Sequence, residues 1–213
     1  MKVDIVIVSN ATLNEQLTID AINSIHKSDV HDFNIIVMEQ TDADFENATT
    51  INYKFGFNYN KCLNEGAKYG TADYIVFCNN DLLFEKDWFS RLLDVFEMGY
   101  KSLCPFEKRH CKNKSKGNHL IEGYEVRNQL LGWCIAVERK MFESIGGFDE
   151  GVMFWFSDNI YADQLKYHKI KHALVCNSFV NHKESSTLNK VPQNDITWGQ
   201  KKKYEQIRKK YVE

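Results

Sequence analysis

Proline is nearly missing from this chain, with two in 213 residues, and no low-complexity linker or internal repeat interrupts it. The chain therefore reads as one domain, or a domain with a tail, long enough for a substantial core. None of the six cysteines (Cys62, Cys78, Cys104, Cys111, Cys134, Cys176) falls in a Cys-x-x-Cys pair. Several lie inside apolar runs, where a thiol behaves as a small core residue. A disulfide framework or a metal-thiolate centre is thus not expected, and a reducing compartment fits. No apolar stretch reaches membrane-spanning length. The amino terminus runs straight into Val3-Asp4-Ile5-Val6-Ile7-Val8, a strand and not a signal peptide, so a soluble, cytoplasmic protein is expected (host cytoplasm if viral). Without a secretory signal, the sequons at Asn10, Asn47 and Asn113 read as chance. A charge excess is also lacking: the net charge of -2 gives no global push toward nucleic acid or membrane.

What is present is an ordinary globular composition, 43% hydrophobic and 26% charged, which excludes disorder as the main description. Strand and helix signals alternate through the first half. Val3–Val8, Phe33–Met38, a short Ile51–Phe55 and Tyr74–Cys78 read as strands. Leu13–His26, Tyr59–Tyr69 and Asp87–Met98 read as helices, with Asp87 placed to start the last and Gly99 to stop it. Such alternation predicts an α/β fold, with a largely parallel central sheet and helices on both faces. The second half is less regular. Residues 106–119 are basic and read as a loop; Leu130–Val137 is a strand, and Glu138–Ile145 a short helix closed by Gly146-Gly147. Ile160–His168 is a helix, Ala173–Cys176 and Phe179–Val180 are strand-like, and Trp198–Tyr211 is a basic helix. His168 and His172 lie four apart with a helix end between them, and both read as surface.

The most informative junction is where Tyr74-Ile75-Val76-Phe77-Cys78 meets Asn79-Asn80-Asp81. Open α/β sheets bind ligands beyond the carboxyl ends of their strands. The three such ends carry Ser9-Asn10, Glu39-Gln40 and Asn79-Asn80-Asp81, polar as a nucleotide crevice requires. A carboxylate there suits a divalent cation holding a diphosphate, although Asn and Asp also favour plain turns.

Three segments in order resemble family 2 of the inverting glycosyltransferases, which has the GT-A nucleotide-sugar transferase fold. Asn64-Glu65-Gly66 followed by Ala72 to Asp81 is similar to the family's N-x-G helix, strand and D-x-D-type metal motif. Gly132-Trp133, then Glu138-Arg139-Lys140-Met141-Phe142-Glu143-Ser144-Ile145-Gly146-Gly147-Phe148-Asp149-Glu150, is close to the family's R-R-x-x-F-x-x-I-G-G-F-D-E stretch. Phe154-Trp155-Phe156-Ser157-Asp158, a helix and Val180-Asn181-His182 resemble its E-D-x-D-L helix and later V-x-H. The resemblance implies a single GT-A domain, with a Rossmann-like nucleotide-sugar half over 1–105, an acceptor and catalytic half over 106–189, and a basic helix over 190–213. Departures exist: Asn79, Ser157 and Ile160 stand where the family carries acids, and Gln164 where Arg is common. They point to an altered acceptor site more than to a dead enzyme.

The implied chemistry is transfer of a sugar, with inversion, from a nucleoside diphosphate (UDP) to an acceptor hydroxyl. Asp158 is implied as the catalytic base, with a helix N-cap as its plainer reading. Asp81 and His182 are implied as ligands of Mn²⁺ or Mg²⁺. Ser9, Asn10 and Glu39 match positions that hold base and ribose; Lys61, Asn64, Asn79 and Asn80 are candidates for ribose, phosphate or metal-bound water. Trp133 and Trp155 are candidates to line the acceptor side, where rings stack on sugars or bases. A saccharide is the default acceptor. The basic stretch 108–116 with Lys201–Lys203 and Arg208–Lys210 keeps open a DNA acceptor bearing hydroxymethylated bases. A non-catalytic sugar- or nucleotide-binding module is the alternative of another class. A nucleotidyltransferase would need a glycine-rich loop after the first strand, and Ser9-Asn10-Ala11-Thr12 is no such loop.

Overall fold

A computed structural model of the chain describes residues 1–107, 119–183 and 194–212. Its strands are β1 Lys2–Ser9, β2 Asp32–Glu39, β3 Thr49–Asn52, β4 Tyr74–Asn79, β5 Leu82–Phe84, β6 Ser102–Phe106, β7 Leu120–Glu122, β8 Cys134–Glu138 and β9 His172–His182. Its helices are α1 Ala11–Ser28, α2 Tyr59–Ala67, α3 Trp88–Glu97, α4 Arg139–Ser144, α5 Ser157–Tyr167 and α6 Asn194–Val212. The strand order is β3-β2-β1-β4-β8-β6-β9-β5, with β7 also on β9. Pairing is parallel from β3 through β4, as the βα alternation requires, and again between β6 and β9. It is antiparallel where β8 meets β4 and β6, and where β5 and β7 meet β9. The fold class is the expected α/β, with a mixed sheet in the half where alternation breaks off.

The apolar run of β1 is buried on both faces, as a central strand between helical layers must be. Val3, Ile5 and Ile7 pack with Ile22 and Ile25 of α1 and Trp88, Phe89 and Leu92 of α3. Val6 packs on the other face with Leu63 of α2, Phe142 of α4 and Tyr161 and Leu165 of α5. One buried ion pair ties the chain's two halves across this sheet. Arg139 Nη2 lies 2.7 Å from Asp4 Oδ2, while Arg139 also donates to the carbonyls of Ala72 and Ala67. Asp4 additionally accepts from Ala72 N–H and the Asn34 amide, so this fully buried carboxylate is well hydrogen-bonded.

Two local expectations change. Helix α3 does begin after Asp87, but that residue makes no side-chain cap and sits at φ 60°. Its cap comes from Asp29, whose Oδ2 accepts from Phe89 N–H at 3.0 Å and Ser90 N–H at 2.8 Å. His172 is fully buried, not at the surface, because it opens β9 opposite Ser102. Its Nδ1 lies 2.8 Å from Ser102 Oγ, which lies 2.9 Å from the Tyr161 hydroxyl; its Nε2 lies 3.2 Å from the Gln129 carbonyl. A carbonyl can only accept, so Nε2 carries the proton and Nδ1 accepts from Ser102.

Burial pushes the His172 imidazole down to about 4 from the usual 6.5. The unfolded chain therefore takes up this proton below pH 6.5 while the native fold resists it. The contribution to stability is complete above pH 6.5 and falls as the pH drops toward 4, by about 3 kcal/mol in all. Urea unfolding from pH 7 to 4.5 should show this loss. His172→Gln, whose amide can meet both neighbours, should lose correspondingly less over the same range; an identical slope in the variant would contradict the assignment.

Candidate functional site

The carboxyl edge of the sheet gathers the chemistry. Asp81 sits between β4 and β5, and the pairing of Leu82 with His182 brings the end of β9 beside it. His182 Nε2 is 3.1 Å from Asp81 Oδ1, and the Asp81 main-chain carbonyl accepts from Lys183 N–H at 2.8 Å. Asp81 is buried, and its Oδ1 has no hydrogen-bond partner among the described residues despite that proximity. Trp133 stacks on His182 at 5.5 Å and fixes the imidazole plane, so its ring is on the Asp81 side of the site. The Trp133 carbonyl accepts from Asn79 N–H at 2.9 Å. An orphaned buried carboxylate oxygen about 3 Å from an imidazole nitrogen is the spacing of two adjacent ligands on one small divalent ion. Among the described residues no three His, Cys, Asp or Glu side chains form a complete metal cluster, so two protein ligands would leave the remaining positions to a ligand and water.

Asp158 lies in the first turn of α5. It is not the helix cap: Phe156 holds that position, and Asp158 Oδ1 accepts from the adjacent Asn159 N–H at 2.9 Å. Burial raises its carboxyl above the ordinary range, outweighing the opposing Asn159 hydrogen bond and the Arg127 charge. Gly132 presses against it. A Cβ at that position would come within 2.7 Å of Asp158 Cβ and 3.0 Å of Oδ2, which explains a glycine before Trp133. The Gly132-Trp133 dipeptide thus touches Asp158 with one residue and His182 with the next. Tyr59 is buried and holds Asn79 at the end of β4. Its hydroxyl donates to Asn79 Oδ1 at 2.7 Å, and burial pushes its ionisation far up, with the fields of Cys78, Cys134, Asp81 and Asp158 adding to the effect.

Among the residues expected to hold nucleotide, Glu39 is fully buried at the end of β2. Its Oε1 accepts from Ala11 and Thr41 N–H groups, while Oε2 has no hydrogen-bond partner among the described residues. Ser9 Oγ is 2.8 Å from Thr18 Oγ1, which also accepts from the Asn80 amide at 3.0 Å, so Ser9 and Asn80 brace the edge through Thr18. Asn10 precedes α1 and donates to Gln40 Oε1 at 2.7 Å. Lys61 Nζ stands 4.6 Å over the Phe55 ring, which stacks on Tyr53.

Asn64, a candidate for ribose or phosphate, also has partners within the chain. Its amide donates to the Phe148 carbonyl at 2.8 Å and to Glu150 Oε1, and its Oδ1 accepts Phe148 N–H at 2.9 Å. Asn58 and Asn60 donate to the carbonyls of Glu150 and Asp149 in the same way. The three asparagines clamp the Gly-Gly-Phe-Asp-Glu loop. Sequence reading missed Asn58, Asn60, Thr18, Tyr53 and Tyr59, because nothing local marks a side chain whose partner is a distant segment.

On the remaining side, Trp155 is half-buried and meets Phe154 edge-on at 5.4 Å. Ser157, Ile160 and Gln164, the departures noted on α5, are all buried. Ser157 donates to the Phe154 carbonyl, Ile160 is fully buried, and Gln164 donates to the Gly147 carbonyl while accepting from Asp149 N–H. Of the cations considered for a polyanion, 108–116 lie outside the described residues. Arg208 lies 3.4 Å from Asp163 and Lys210 3.4 Å from Asp149, so the C-terminal helix directs part of its charge inward. Lys202, Lys203 and Lys209 are exposed. Among the described residues no helix is long and apolar enough to cross a membrane.

A family model described as glycosyl transferase family 2 matches residues 5–148. No curated protein matches the chain. Among solved structures, residues 1–349 of TarS from S. aureus superpose with a TM-score of 0.63 at 12% identity, covering 85% of this chain and 60% of that one. GalNAc-T7 with UDP, GalNAc and Mn²⁺ gives 0.67 at 11% identity, covering 96% of this chain and 48% of that one. The chain thus spans about three fifths of the first and half of the second, and at such identities the likeness is one of fold.

Proposed function

The chain belongs to glycosyltransferase family 2 and has the GT-A fold, and from that premise we propose that it transfers a sugar from a UDP-sugar to a saccharide hydroxyl with inversion. One observation carries the reading: Asp81 with its orphaned oxygen, His182 and Asp158 converge on the Gly132-Trp133 dipeptide at the carboxyl edge of the sheet. Asp81 and His182 would hold a divalent cation, Mn²⁺ or Mg²⁺, and the presence of UDP and Mn²⁺ with GalNAc-T7, which shares the fold, supports the choice. When bound, that ion neutralises charge on the diphosphate.

The chain's own residues do the rest. Glu39 offers Oε2 to a base N–H, and Tyr53 and Lys61 border the same edge. Asp158 accepts the proton of the acceptor hydroxyl as that oxygen forms its bond to the anomeric carbon. The bond from that carbon to the diphosphate oxygen breaks on the opposite face, and its electron pair leaves with UDP. The raised carboxyl of Asp158 makes it a better proton acceptor than a free aspartate, and it must be ionised to act.

Calorimetric titration with UDP tests the donor side. Binding in Mn²⁺ should weaken by at least about tenfold in EDTA, and equally in Asp81→Ala. Equal UDP affinity with and without the ion would contradict the metal assignment.

A further inference from the structure

Phe156, two residues before Asp158, has φ 70° and ψ 7°, the left-handed region that a bulky side chain rarely adopts. Strain of this kind persists only where the surroundings hold it. Here the holder is α6, which lies beyond the residues the family model matches. The Tyr204 ring lies flat on the Phe156 ring, with centroids 5.2 Å apart and planes 6° apart. The Tyr204 hydroxyl donates to Asp163 Oδ2 at 3.1 Å, and Asp163 is on the helix that Ser157 and Asp158 open. One turn earlier, Gln200 Oε1 accepts from Phe154 N–H at 2.7 Å. The C-terminal helix therefore grips the segment on both sides of the strained residue. Asp158 takes its hydrogen bond from the adjacent backbone, so its direction follows the dihedral angles of 156–159.

We propose that Tyr204 is a positioning residue: by stacking on Phe156 it holds the left-handed turn that aims Asp158 at the acceptor oxygen. This rests on the reading of Asp158 as the base. A tyrosine serving only to attach α6 would affect stability and donor binding together. A positioning tyrosine lowers kcat and leaves the donor edge, built from other elements, untouched.

The test measures UDP release from UDP-glucose, UDP-galactose, UDP-N-acetylglucosamine and UDP-N-acetylgalactosamine, with water as acceptor, using the full chain. Tyr204→Ala should lower kcat by about tenfold or more, with KM for the donor within about twofold. Tyr204→Phe keeps the ring and should retain at least about half of kcat. The residue at 156 gives an independent arm, because glycine adopts positive φ without strain. Phe156→Gly should therefore retain more activity than Phe156→Ala, although both lose the stack. An unchanged kcat in Tyr204→Ala, or Phe156→Ala matching or exceeding Phe156→Gly, would overturn the proposal. Asp158→Asn is assayed alongside. Full activity in that variant removes the base reading itself, whereas loss there with full activity in Tyr204→Ala removes the positioning role alone.

Discussion

Asp158→Asn is expected to reduce UDP release from whichever UDP-sugar the protein uses by about 10²- to 10⁴-fold, the span of a lost general base. The substitution is nearly isosteric and removes only the ability to take a proton. The carboxylate bonds Asn159 N–H through Oδ1, a contact the asparagine carbonyl can keep, so the helix start should survive. UDP titration in the presence of Mn²⁺ should be unchanged, since the proposed role of Asp158 is on the acceptor side. The pH profile supplies an independent reading. Burial raises the Asp158 carboxyl, and the base acts only when ionised, so activity should rise with pH through a midpoint above the usual carboxylate value of about 3.9. An acid limb at or below that value would contradict the assignment, as would undiminished release by the asparagine variant.

The other large effect is on stability. Arg139→Met should destabilise the fold by about 3–5 kcal/mol, because Asp4 would remain buried with its charge uncompensated. The carbonyls of Ala72 and Ala67 would lose a donor at the same time. Adding Asp4→Asn should recover part of the loss: the amide cannot leave a charge behind and still accepts from Ala72 N–H. Denaturant unfolding of wild type, both single variants and the double variant would measure the coupling. A double variant no more stable than Arg139→Met would show that charge burial is not the cause. The neighbouring Gly70 explains why the site is so constrained, since any side chain there would run into the Asp4 carboxyl group.

The central strands were legible because β1 and β4 are apolar runs buried on both faces, a pattern that composition alone exposes. Leu82–Phe84 and Leu120–Glu122 were not, since each is a three-residue strand defined by pairing with β9. The single long β9 was divided in expectation because its register shifts: Pro105 pairs with Val175 and Phe106 with Phe179. His172 was misplaced for a similar reason. Lysines precede it, and nothing nearby in sequence shows that Ser102 and Gln129 close over it. In the site, Asp81 and His182 stand at motif spacing and lie 3.1 Å apart. Motif spacing says nothing of the hydrogen bonds by which Asn64 holds the loop at 148–150, because those partners are distant in sequence. Tyr59 and Tyr204 were illegible because their meaning lies in Asn79 and Phe156, far away along the chain.

The most direct measurement is UDP release by the wild-type protein across a panel of UDP-sugars, with and without Mn²⁺. Release from at least one donor is expected, dependent on the ion and lost in Asp158→Asn. No release from any donor, together with no Mn²⁺-dependent binding of UDP, would contradict the enzyme reading and leave a non-catalytic module on a glycosyltransferase fold.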